Sequence, residues 1–378
     1  MNNATSVKIK PLTPLWTGNA EGKGIEVRET GILGSLRWWY EALLRGLGAY
    51  ACDTTSDKHC ELKPSQGKPV EEQVKEQLCL ACQLFGCTGY SRRFRLMISN
   101  GGGTGQPREV KLKNSTKQHR GWRIPDKVAS AFTMTFLPMR GGALTDFENA
   151  TIYYTLKIIE SYGALGAKTS QGQGVVQVID WDGLESVAEA EDWIKEVSKQ
   201  PTRPDRKPID PPDLSNLVGA TITFDTNTTP GSWWNKIPLN GLESFNMGNN
   251  PSWVPSAPSV RAHLRGWLRD PSNIPNLDEN LQQERHRIMG TINHPIGPKG
   301  SEIFVTHLYR SNADNLWSMR IFGFLPRNGN AVDQALRALL RDEKVLADEV
   351  KAALGDISVG AISYPESMDV LLTDMKEK

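Results

Sequence analysis

The five cysteines of the chain all lie within residues 52–87, and their spacing suits a metal ion. Cys79 and Cys82 form a C-x2-C pair, the spacing of zinc knuckles, and His59 is a further candidate ligand. No cysteine lies elsewhere and no apolar signal segment is present, so we do not expect a disulfide framework. We predict a structural zinc ion, with free thiols as the alternative and Cys87 as the odd cysteine out. The predicted ligands are Cys52, Cys60, Cys79 and Cys82.

A stripe of charged side chains marks residues 28–47. Arg37, Glu41 and Arg45 follow one another at i, i+4 and i+8, so a helix places them on one face, where they can pair. Trp38 lies beside this stripe. Arginines bordered by an indole suit an elongated anion with flat rings, such as single-stranded nucleic acid. An ordinary amphipathic helix with aromatic core contacts is the alternative interpretation.

A glycine-rich stretch, GALGAKTSQGQG at residues 163–174, lies directly before an apolar strand. Its glycines would let backbone N–H groups approach phosphates, while its lysine adds charge and its polar side chains add donors. A P-loop would need glycine where Tyr162 and Ala167 stand, and a dinucleotide-binding loop follows a strand rather than a helix. A purely structural turn is the alternative. The residues that would contact phosphate are Gly166, Lys168, Thr169, Ser170, Gln171, Gly172 and Gly174.

The net charge of +1 predicts no polyanionic partner by itself, but the charges are distributed unevenly. Residues 92–127 hold ten Lys/Arg and two acidic residues, so this basic block is a candidate phosphate-facing surface, with a solvated basic loop as the alternative. The chain contains no apolar run of membrane-spanning length. We therefore expect a cytoplasmic protein without a membrane partner.

The elements that would position these groups begin with a strand at residues 8–16, which leads into the arginine helix. Thr30, Gly31 and Gly34 predict a turn before that helix, and Ser35 is the predicted capping residue. Strand, loop and helix in this order open a ferredoxin-like βαββαβ unit. The order therefore predicts a fold of the α+β class.

The length of 378 residues favours two domains. Five prolines within residues 200–213 predict a linker or surface crossing, so we place the domains at 1–200 and 201–378. The second half resembles a degenerate repeat of the first. Residues 259–269 repeat the arginine stripe with Arg261, Arg265 and Arg269.

Three stretches of the N-terminal half resemble the RAMP superfamily, whose members are RNA-binding subunits of CRISPR effector complexes. The first is PLTPLWTG (residues 11–18) followed by RETGILGSLRWWYEALLRGLG (28–48). The second is CQLFGCTG (82–89), which leads into the arginine-containing strand 91–98, and the third is the glycine-rich stretch with its strand. The resemblance is closest to the family of first subunits of the Cmr (type III-B) RNA-guided complex.

The resemblance implies two ferredoxin-like (RRM-like) βαββαβ units packed together, with the cysteine-rich zinc segment inserted in the first. It implies an RNA-binding subunit of a CRISPR antiviral complex. Such a subunit would contact the guide RNA near its 3′ end, the duplex of guide and target RNA, or both, and would dock on neighbouring RAMP subunits. The RNA-binding residues outside the glycine-rich stretch would be Arg28, Arg37, Trp38, Arg45, Arg92 and Arg93.

A metal-independent ribonuclease that processes CRISPR transcripts is the alternative function, because some RAMP proteins have this activity. Such chemistry uses a histidine as general acid or base. Only His119 lies inside the basic block and only His263 lies in the second arginine helix, and neither occupies a catalytic motif. We therefore expect a binding protein without enzymatic activity. A zinc-stabilised scaffold that makes no RNA contact is a third interpretation.

Overall fold

The structure of the protein is a computed structural model that describes residues 4–18, 26–57, 59–113, 121–139, 142–182, 197, 212–224, 233–245, 247–248, 250–274, 280–291, 299–310, 316–355 and 357–364. Within these residues the chain is an α+β protein with three antiparallel sheets, which confirms the predicted class. The strands are β1 (Thr5–Pro11), β2 (Phe94–Ser99), β3 (Pro107–Leu112), β4 (Trp122–Pro125), β5 (Phe132–Pro138), β6 (Val176–Asp182), β7 (Leu217–Phe224), β8 (Leu239–Asn240), β9 (Trp253–Val254), β10 (Ile303–Val305), β11 (Leu308–Arg310), β12 (Trp317–Phe324) and β13 (Val359–Ser363). The α-helices are α1 (Glu29–Gly46), α2 (Val70–Gln77), α3 (Leu80–Phe85), α4 (Asp146–Tyr162), α5 (Ala257–Trp267), α6 (Leu281–Met289), α7 (Ala331–Leu339) and α8 (Glu343–Leu354).

The first sheet combines four strands of the N-terminal half in the order β2–β5–β1–β6. Alternate side chains of each strand face the core, so Val7 and its cross-strand partner Met134 are both buried. On β2, Phe94 and Leu96 are buried and Arg95 between them is exposed, which is the basic and apolar alternation that the sequence predicts. The sheet therefore presents one apolar face to the helices.

Helix α1 packs beside α4 and contributes six buried side chains to the first core. It begins at Glu29, so the prediction that Ser35 caps it is wrong. The early glycines allow close packing instead, because a Cβ atom on Gly31 would lie 2.7 Å from the Cβ atom of Thr17. The helix residues buried in the core are Ile32, Leu36, Trp39, Tyr40, Leu43 and Leu44.

Helix α4 begins with a capping box. The Thr145 side chain accepts a hydrogen bond from the backbone N–H of Glu148, and the Glu148 carboxylate accepts one from the backbone N–H of Thr145. Two backbone donors that a helix start leaves unpaired are thereby satisfied. At the other end, a Cβ atom on Gly163 would lie 2.4 Å from the Trp39 ring, so the chain turns where only glycine fits.

The cysteine-rich segment between α1 and β2 contains α2 and α3. It packs against the first half through Phe85, whose ring centroid lies 5.2 Å from that of Tyr40 and 5.6 Å from that of Phe94. Edge-on aromatic contacts of this kind stabilise a core beyond the area they bury. The segment is therefore joined to α1 and β2 by a continuous apolar contact.

A third, smaller sheet in the order β4–β3–β8 links the two halves. Strands β3 and β4 form a hairpin within the basic block, and β3 also pairs with β8 of the second half. Val110 and Ile124 of the hairpin are buried in the core of the second half. Residues 114–120 and most of the predicted linker lie outside the described residues.

The second sheet has the order β13–β7–β12–β11–β9, and β10 also pairs with β12. Strands β7 and β12 pair along their whole length, from Leu217 opposite Phe324 to Phe224 opposite Trp317. Residues 331–354 contain two helices, α7 and α8. The chain breaks there because the Asp342 carboxylate accepts a hydrogen bond from the backbone N–H of Val345 and so caps α8.

The two halves meet through aromatic side chains of α1 and of the second sheet. The ring centroid of Trp38 lies 6.3 Å from that of Phe304 and 5.3 Å from that of Phe324. Trp39 lies 6.0 Å from Phe322, which is buried in the first core. The arginine helix is thus covered by the second half.

Candidate metal centre and nucleic-acid interface

The sulfur atoms of the four predicted zinc ligands, Cys52, Cys60, Cys79 and Cys82, lie within 4.8 Å of one another, and all four side chains are buried. The Sγ atom of Cys52 lies 3.5 Å from that of Cys82 and 3.8 Å from that of Cys79. A tetrahedral ion with metal–sulfur bonds of about 2.3 Å holds its sulfur atoms about 3.8 Å apart, so the spacing fits. The cluster could therefore hold a metal ion, and Cys87 lies outside it, as predicted.

The four thiols change one another's acidity. Hydrogen bonds with Cys60, Cys79 and Cys82 lower the pKa of Cys52, so one thiolate forms readily. The hydrogen bond with Cys52 raises the pKa of Cys82, because a second negative charge beside the first is unfavourable. A divalent cation would remove this opposition by neutralising the thiolates. The donor set thus suits a metal better than four adjacent thiols.

Arg37 connects α1 to the cysteine cluster. Its Nη2 donates to the Sγ atom of Cys82 at 3.1 Å, its Nη1 donates to the carbonyl oxygen of Gly86 at 2.7 Å, and its Nε donates to Glu41 at 2.7 Å. Only 18% of its side chain is exposed. A donor to a metal-bound sulfur orients the ligand and offsets its charge. Arg37 therefore serves the cysteine cluster, and we leave it out of the RNA surface proposed below.

Two more predicted RNA contacts on α1 also face the protein. Arg45 donates to the carbonyl oxygens of Ala51, Cys52 and Pro212, and its side chain is 7% exposed. Trp38 packs against phenylalanines of the second half rather than offering an open ring. We therefore omit both residues from the proposed RNA surface. Helical periodicity places a side chain on a face, but it does not reveal what covers that face.

The arginines predicted outside α1 and the loop differ in their surroundings. Arg93 forms a two-pronged ion pair with Glu148 at 2.8 and 3.3 Å, and its side chain is 14% exposed. Arg92 is half-buried. Arg28 precedes α1, is 46% exposed and lies 3.5 Å from Glu26. Of these three, Arg28 presents its charge most openly.

The glycine-rich loop contacts both segments of the first RAMP-like stretch, residues 11–18 and the start of α1. The backbone N–H of Gly166 donates to the Ser35 hydroxyl of α1 at 2.9 Å, and the backbone N–H of Ala167 donates to the carbonyl oxygen of Trp16 at 2.8 Å. The backbone N–H of Gly174 donates to the carbonyl oxygen of Pro14 at 2.8 Å. The residue 11–18 segment, the start of α1 and the loop are therefore one assembly.

The glycines of the loop are required by close contacts within the protein. Gly166, Gly172 and Gly174 all have positive φ angles, of 86°, 100° and 93°. A Cβ atom on Gly172 would lie 2.5 Å from the Cβ atom of Ala257, and one on Gly174 would lie 2.1 Å from the carbonyl oxygen of Leu165. Gly172 and Gly174 are buried, so we leave them out of the proposed phosphate contacts.

Lys168 is the charged residue of the loop. Its backbone is left-handed (φ 58°), which is uncommon for a residue other than glycine. Its Nζ atom lies 3.3 Å from the ring centroid of Trp16, a favourable cation–π contact. Burial lowers the pKa of Lys168, and the positive charge of Arg123 lowers it further. The half-buried Thr169, Ser170 and Gln171 follow in a single 3-10 turn.

The sequence interpretation did not single out Arg123, an exposed residue of β4 that lies close enough to Lys168 to lower its pKa. Only its place in the basic block pointed to it. Gln173 and His307 were also missed. The Gln173 amide is fully buried without a hydrogen-bond partner among the described residues, and the ring of His307 packs beneath Gly172. Long-range contacts of this kind leave no local sequence pattern.

The family model of the RAMP superfamily matches residues 8–177 of the chain. These residues contain β2, β5 and part of β1, together with the cysteine-rich segment and the glycine-rich loop. No curated protein sequence matches the chain. Among the described residues, no helix is long and apolar enough to span a membrane.

The chain is also similar to solved structures. One is Cmr1 from Pyrococcus furiosus in its apo form, with 13% identity, coverage of 96% of this chain and 98% of that chain, and a TM-score of 0.44. Another is a chain of the type III-B Cmr-beta complex bound to cognate target RNA, with 12% identity, coverage of 93% and 99%, and a TM-score of 0.46. Residues 8–177 of this chain are thus similar to the RAMP superfamily.

Proposed function

We propose that the chain binds single-stranded RNA across the glycine-rich loop. The observation that carries this proposal is the placing of Lys168, beside Arg123 and above the Trp16 ring, on a loop fixed to the start of α1. The positive charges of Lys168 and Arg123, which act on each other, favour an anion, and Glu109 opposite Arg123 pairs with Lys111. Thr169, Ser170 and Gln171 add donors at the same edge, and Arg28 adds a charge at the start of α1.

We further propose that the partner is the RNA of a CRISPR type III-B (Cmr) complex. The RAMP family match over residues 8–177 and the three sequence stretches that resemble Cmr first subunits support this assignment. In that setting the chain would contact the guide RNA near its 3′ end, the duplex of guide and target RNA, or both, and would dock on other RAMP subunits. Sequence specificity would come from base pairing of the guide, not from these side chains.

Each half is proposed to be a ferredoxin-like βαββαβ unit. In the first half the order β1, α1, β2, β5, α4, β6 along the chain, with the sheet order β2–β5–β1–β6, supports this topology. In the second half β7, α5, β10, β12, α7 with α8, and β13 follow the same succession. Domain boundaries at residues 1–200 and 201–378 remain part of the proposal. The β3–β4 hairpin of the first half would then complete the core of the second.

We propose zinc as the metal of the cysteine cluster. Four sulfur ligands at tetrahedral spacing favour zinc over magnesium or calcium, which prefer oxygen ligands. The ion would hold a segment that consists largely of exposed residues between positions 53 and 77, so its role would be structural. Thiolates that hold a metal suit a reducing compartment, which is consistent with a cytoplasmic site of action.

We propose that the chain binds RNA without cleaving it. The burial of His307 lowers its pKa to about 3, so its ring stays neutral and unavailable as an acid. His263 pairs with Glu349 at 2.5 Å on the second half, away from the glycine-rich loop in sequence. His119, the candidate inside the basic block, lies outside the described residues. A cleavage assay is therefore part of the test.

The test is binding of the full chain to labelled single-stranded RNA, duplex RNA and duplex DNA across a salt series, with the RNA checked for cleavage on a gel. We expect single-stranded RNA to bind most tightly, to lose affinity steeply between about 50 and 200 mM salt, and to remain intact. Equal affinity for duplex DNA would contradict a site built for RNA. Metal-independent cleavage would show the ribonuclease instead.

A further inference from the structure

Helices α5 and α6 of the second half repeat the architecture of α1 and α3 in the first. Arg37 of α1 donates to the carbonyl oxygen of Gly86, and Arg265 of α5 donates to the carbonyl oxygen of Gly290 at 3.1 Å. Each of these glycines ends a short helix with a positive φ, 82° and 70° respectively. Each half thus holds an arginine of its stripe against the end of a second short helix, although the two arginines lie one helical turn apart in the repeat.

The two copies differ at one position of the arginine stripe. Alignment of SLRWWYEALLR (residues 35–45) with SVRAHLRGWLR (259–269) places Glu41 of the first copy opposite Arg265 of the second. In α1 the Glu41 carboxylate lies 2.7 Å from Arg37 and 3.5 Å from Arg45, so it compensates both charges. In α5 an arginine stands where that carboxylate would be. The three stripe positions thus carry positive, negative and positive charges in α1, but three positive charges in α5.

The described residues offer no carboxylate to this second stripe. None lies within ion-pair distance of Arg261, Arg265, Arg269 or Arg285. The nearest acids in sequence have other partners. The Asp270 carboxylate accepts hydrogen bonds from Ser272, and the Glu284 carboxylate accepts from Arg287 and Asn330.

Hydrogen bonds hold two of these arginines in place. Arg261 donates to the carbonyl oxygens of Met289 and Ile303 and to the Ser301 hydroxyl, so its guanidinium is fixed and largely buried. Arg265 uses one Nη atom on Gly290 and lies with the other 3.2 Å from the Nδ1 atom of His286. Because these contacts are to carbonyl oxygens and a ring nitrogen, they position the charges without neutralising them.

A third arginine of the cluster comes from α6. The Nε atom of Arg285 is buried and has no hydrogen-bond partner among the described residues. Arg269 follows Arg265 by four residues, just past the end of α5, and Arg285 is next to His286, whose ring contacts Arg265. Burial lowers the pKa of Arg265, and the positive charges of Arg285 and Arg269 lower it further. Arg269 is exposed. The cluster therefore combines uncompensated charge, an unused buried donor and access from solvent.

We propose that this face of the second half, formed by Arg265, Arg269 and Arg285, is a second phosphate-binding site that holds the backbone of an RNA strand. Guanidinium groups bind phosphate oxygens through two parallel hydrogen bonds, and side chains four residues apart on a helix lie about 6 Å apart along its axis, so the stripe can engage successive phosphates. The choice of RNA rather than another polyanion rests on the proposed function. The inference that the ligand is an anion rests only on the arginine cluster itself.

The deciding variant is Arg265→Glu, which copies into α5 the charge pattern of α1. In α1 the carboxylate at this position pairs with the arginine four residues before it, and Arg261 offers the same partner in α5. The variant also loses the hydrogen bond to Gly290, so circular dichroism and thermal unfolding check that it folds. Lys344→Glu is the control. It makes the same change in net charge at an exposed position of the second half, in the first turn of α8, where a negative charge is favourable.

Two measurements on the full chain test the proposal: the salt dependence of binding to single-stranded RNA, and the protection of the protein by inorganic polyphosphate against thermal unfolding. For Arg265→Glu we expect RNA affinity to fall at least about tenfold at 0.1 M salt, the salt slope to fall by about two, and polyphosphate protection to be lost. Lys344→Glu should behave like the unmodified protein in both.

Several results would overturn the proposal. Unchanged RNA affinity and salt slope in Arg265→Glu, while Lys168→Ala weakens binding, would refute the second site and leave the proposed function intact. No RNA binding by the unmodified protein would refute the proposed function itself. If polyphosphate then still protected the unmodified protein but not Arg265→Glu, the arginine face would be an anion site with a different ligand. If Arg265→Glu failed to fold, Arg269→Glu, at an exposed residue, would be measured in its place.

Discussion

At the scale of single residues, Lys168 is the most informative. It adopts a left-handed backbone that glycine would adopt without strain, and its Nζ lies over the Trp16 ring. The strain costs about 1 kcal/mol, and a cation–π contact at a partly exposed site returns about the same amount. Stability alone therefore does not explain a lysine at this position. The proposed RNA contact does.

Lys168→Gly should separate stability from binding. Glycine relieves the strained φ while it removes the charge, so we expect a melting temperature within a few degrees of the unmodified protein. RNA affinity should fall several-fold, and the slope of log affinity against log salt should decrease by about one. Lys75→Ala, which removes an exposed lysine of α2, is the control. Unchanged RNA affinity in Lys168→Gly would remove this residue from the interface.

His307 should make the fold sensitive to acid. The backbone N–H groups of Ser256 and Ala257 both donate to its Nδ1 atom, and burial lowers its pKa from 6.5 to about 3. Between those two pH values the unfolded chain takes up a proton that the folded chain excludes, so stability should fall as pH falls from about 6.5 towards 3. The contribution of the neutral His307 ring to stability should be fully present above pH 6.5.

The measurement is urea unfolding at several pH values for the unmodified protein and for His307→Asn, which retains an acceptor but gains no proton. The variant should be less stable at pH 7.5, and its stability should change less between pH 6.5 and 4. Parallel pH profiles for both proteins would contradict the assignment, because other acid-sensitive groups, including the cysteine cluster, are common to both.

The residues that the sequence placed correctly are those whose partners are close in sequence or fixed by spacing. Cys79 and Cys82 identify each other through their spacing, and the cluster contains the four cysteines predicted. Arg45 donates to the carbonyl oxygen of Pro212, far along the chain, and no local pattern reveals that partner. The sequence therefore places charged residues on their helices but does not reveal which distant groups they contact.

At the scale of elements, the proposed zinc would stabilise the part of the cysteine-rich segment that has the smallest core. Among the described residues between 53 and 77, only Cys60, Leu62 and Val74 belong to the hydrophobic core, so the ion would supply much of the stability of this stretch. Cys79→Ala should lower bound zinc from about one per chain to none, and should make residues 49–90 sensitive to protease. Cys87→Ala, outside the cluster, should retain the metal.

Zinc content by mass spectrometry under native conditions, together with limited proteolysis, decides this prediction. A full complement of zinc in Cys79→Ala would show that the ion lies elsewhere or that three sulfurs suffice. Loss of zinc in Cys87→Ala would show that the ligand set is wrong.

The glycine-rich loop is held between the two halves at Gly172. The carbonyl oxygen of Gly172 accepts a hydrogen bond from the backbone N–H of His307 at 2.9 Å, and a Cβ atom there would lie 2.5 Å from Ala257 and 2.7 Å from the His307 ring. Gly172→Ala adds this overlap to the cost of a positive φ, so we expect a loss of about 3 kcal/mol. Gly48 has a φ of 86° and no neighbour within 4 Å, so Gly48→Ala should lower the free energy of unfolding by only about 1 kcal/mol.

Chemical denaturation of the two variants measures this difference. Similar losses in both would show that the loop is not packed tightly against the second half.

The bounds of helices and strands could also be predicted only where the signals are local. The capping box of α4 and the alternation of β7 are local signals that a sequence can reveal. The start of α1 was predicted wrongly, because Gly31 there packs against Thr17 on another segment.

At the scale of the whole molecule, the two halves form one body rather than two independent binding units. Arg320 of β12 donates to the carbonyl oxygens of Ile159 and Gly163 at the end of α4, and Trp38 packs against Phe324. These contacts place the glycine-rich loop of the first half against α5 of the second. The internal repeat was visible in the sequence, whereas the exchange of the β3–β4 hairpin into the second core was not.

The central claim is that RNA lies across the glycine-rich loop. Its most direct test is photochemical cross-linking of the full chain to a single-stranded RNA that carries 4-thiouridine, followed by identification of the cross-linked peptides. We predict cross-links to the peptides that contain Trp16 and residues 168–171, reduced several-fold in Lys168→Gly. Cross-links confined to other parts of the chain, and unchanged in that variant, would contradict the claim.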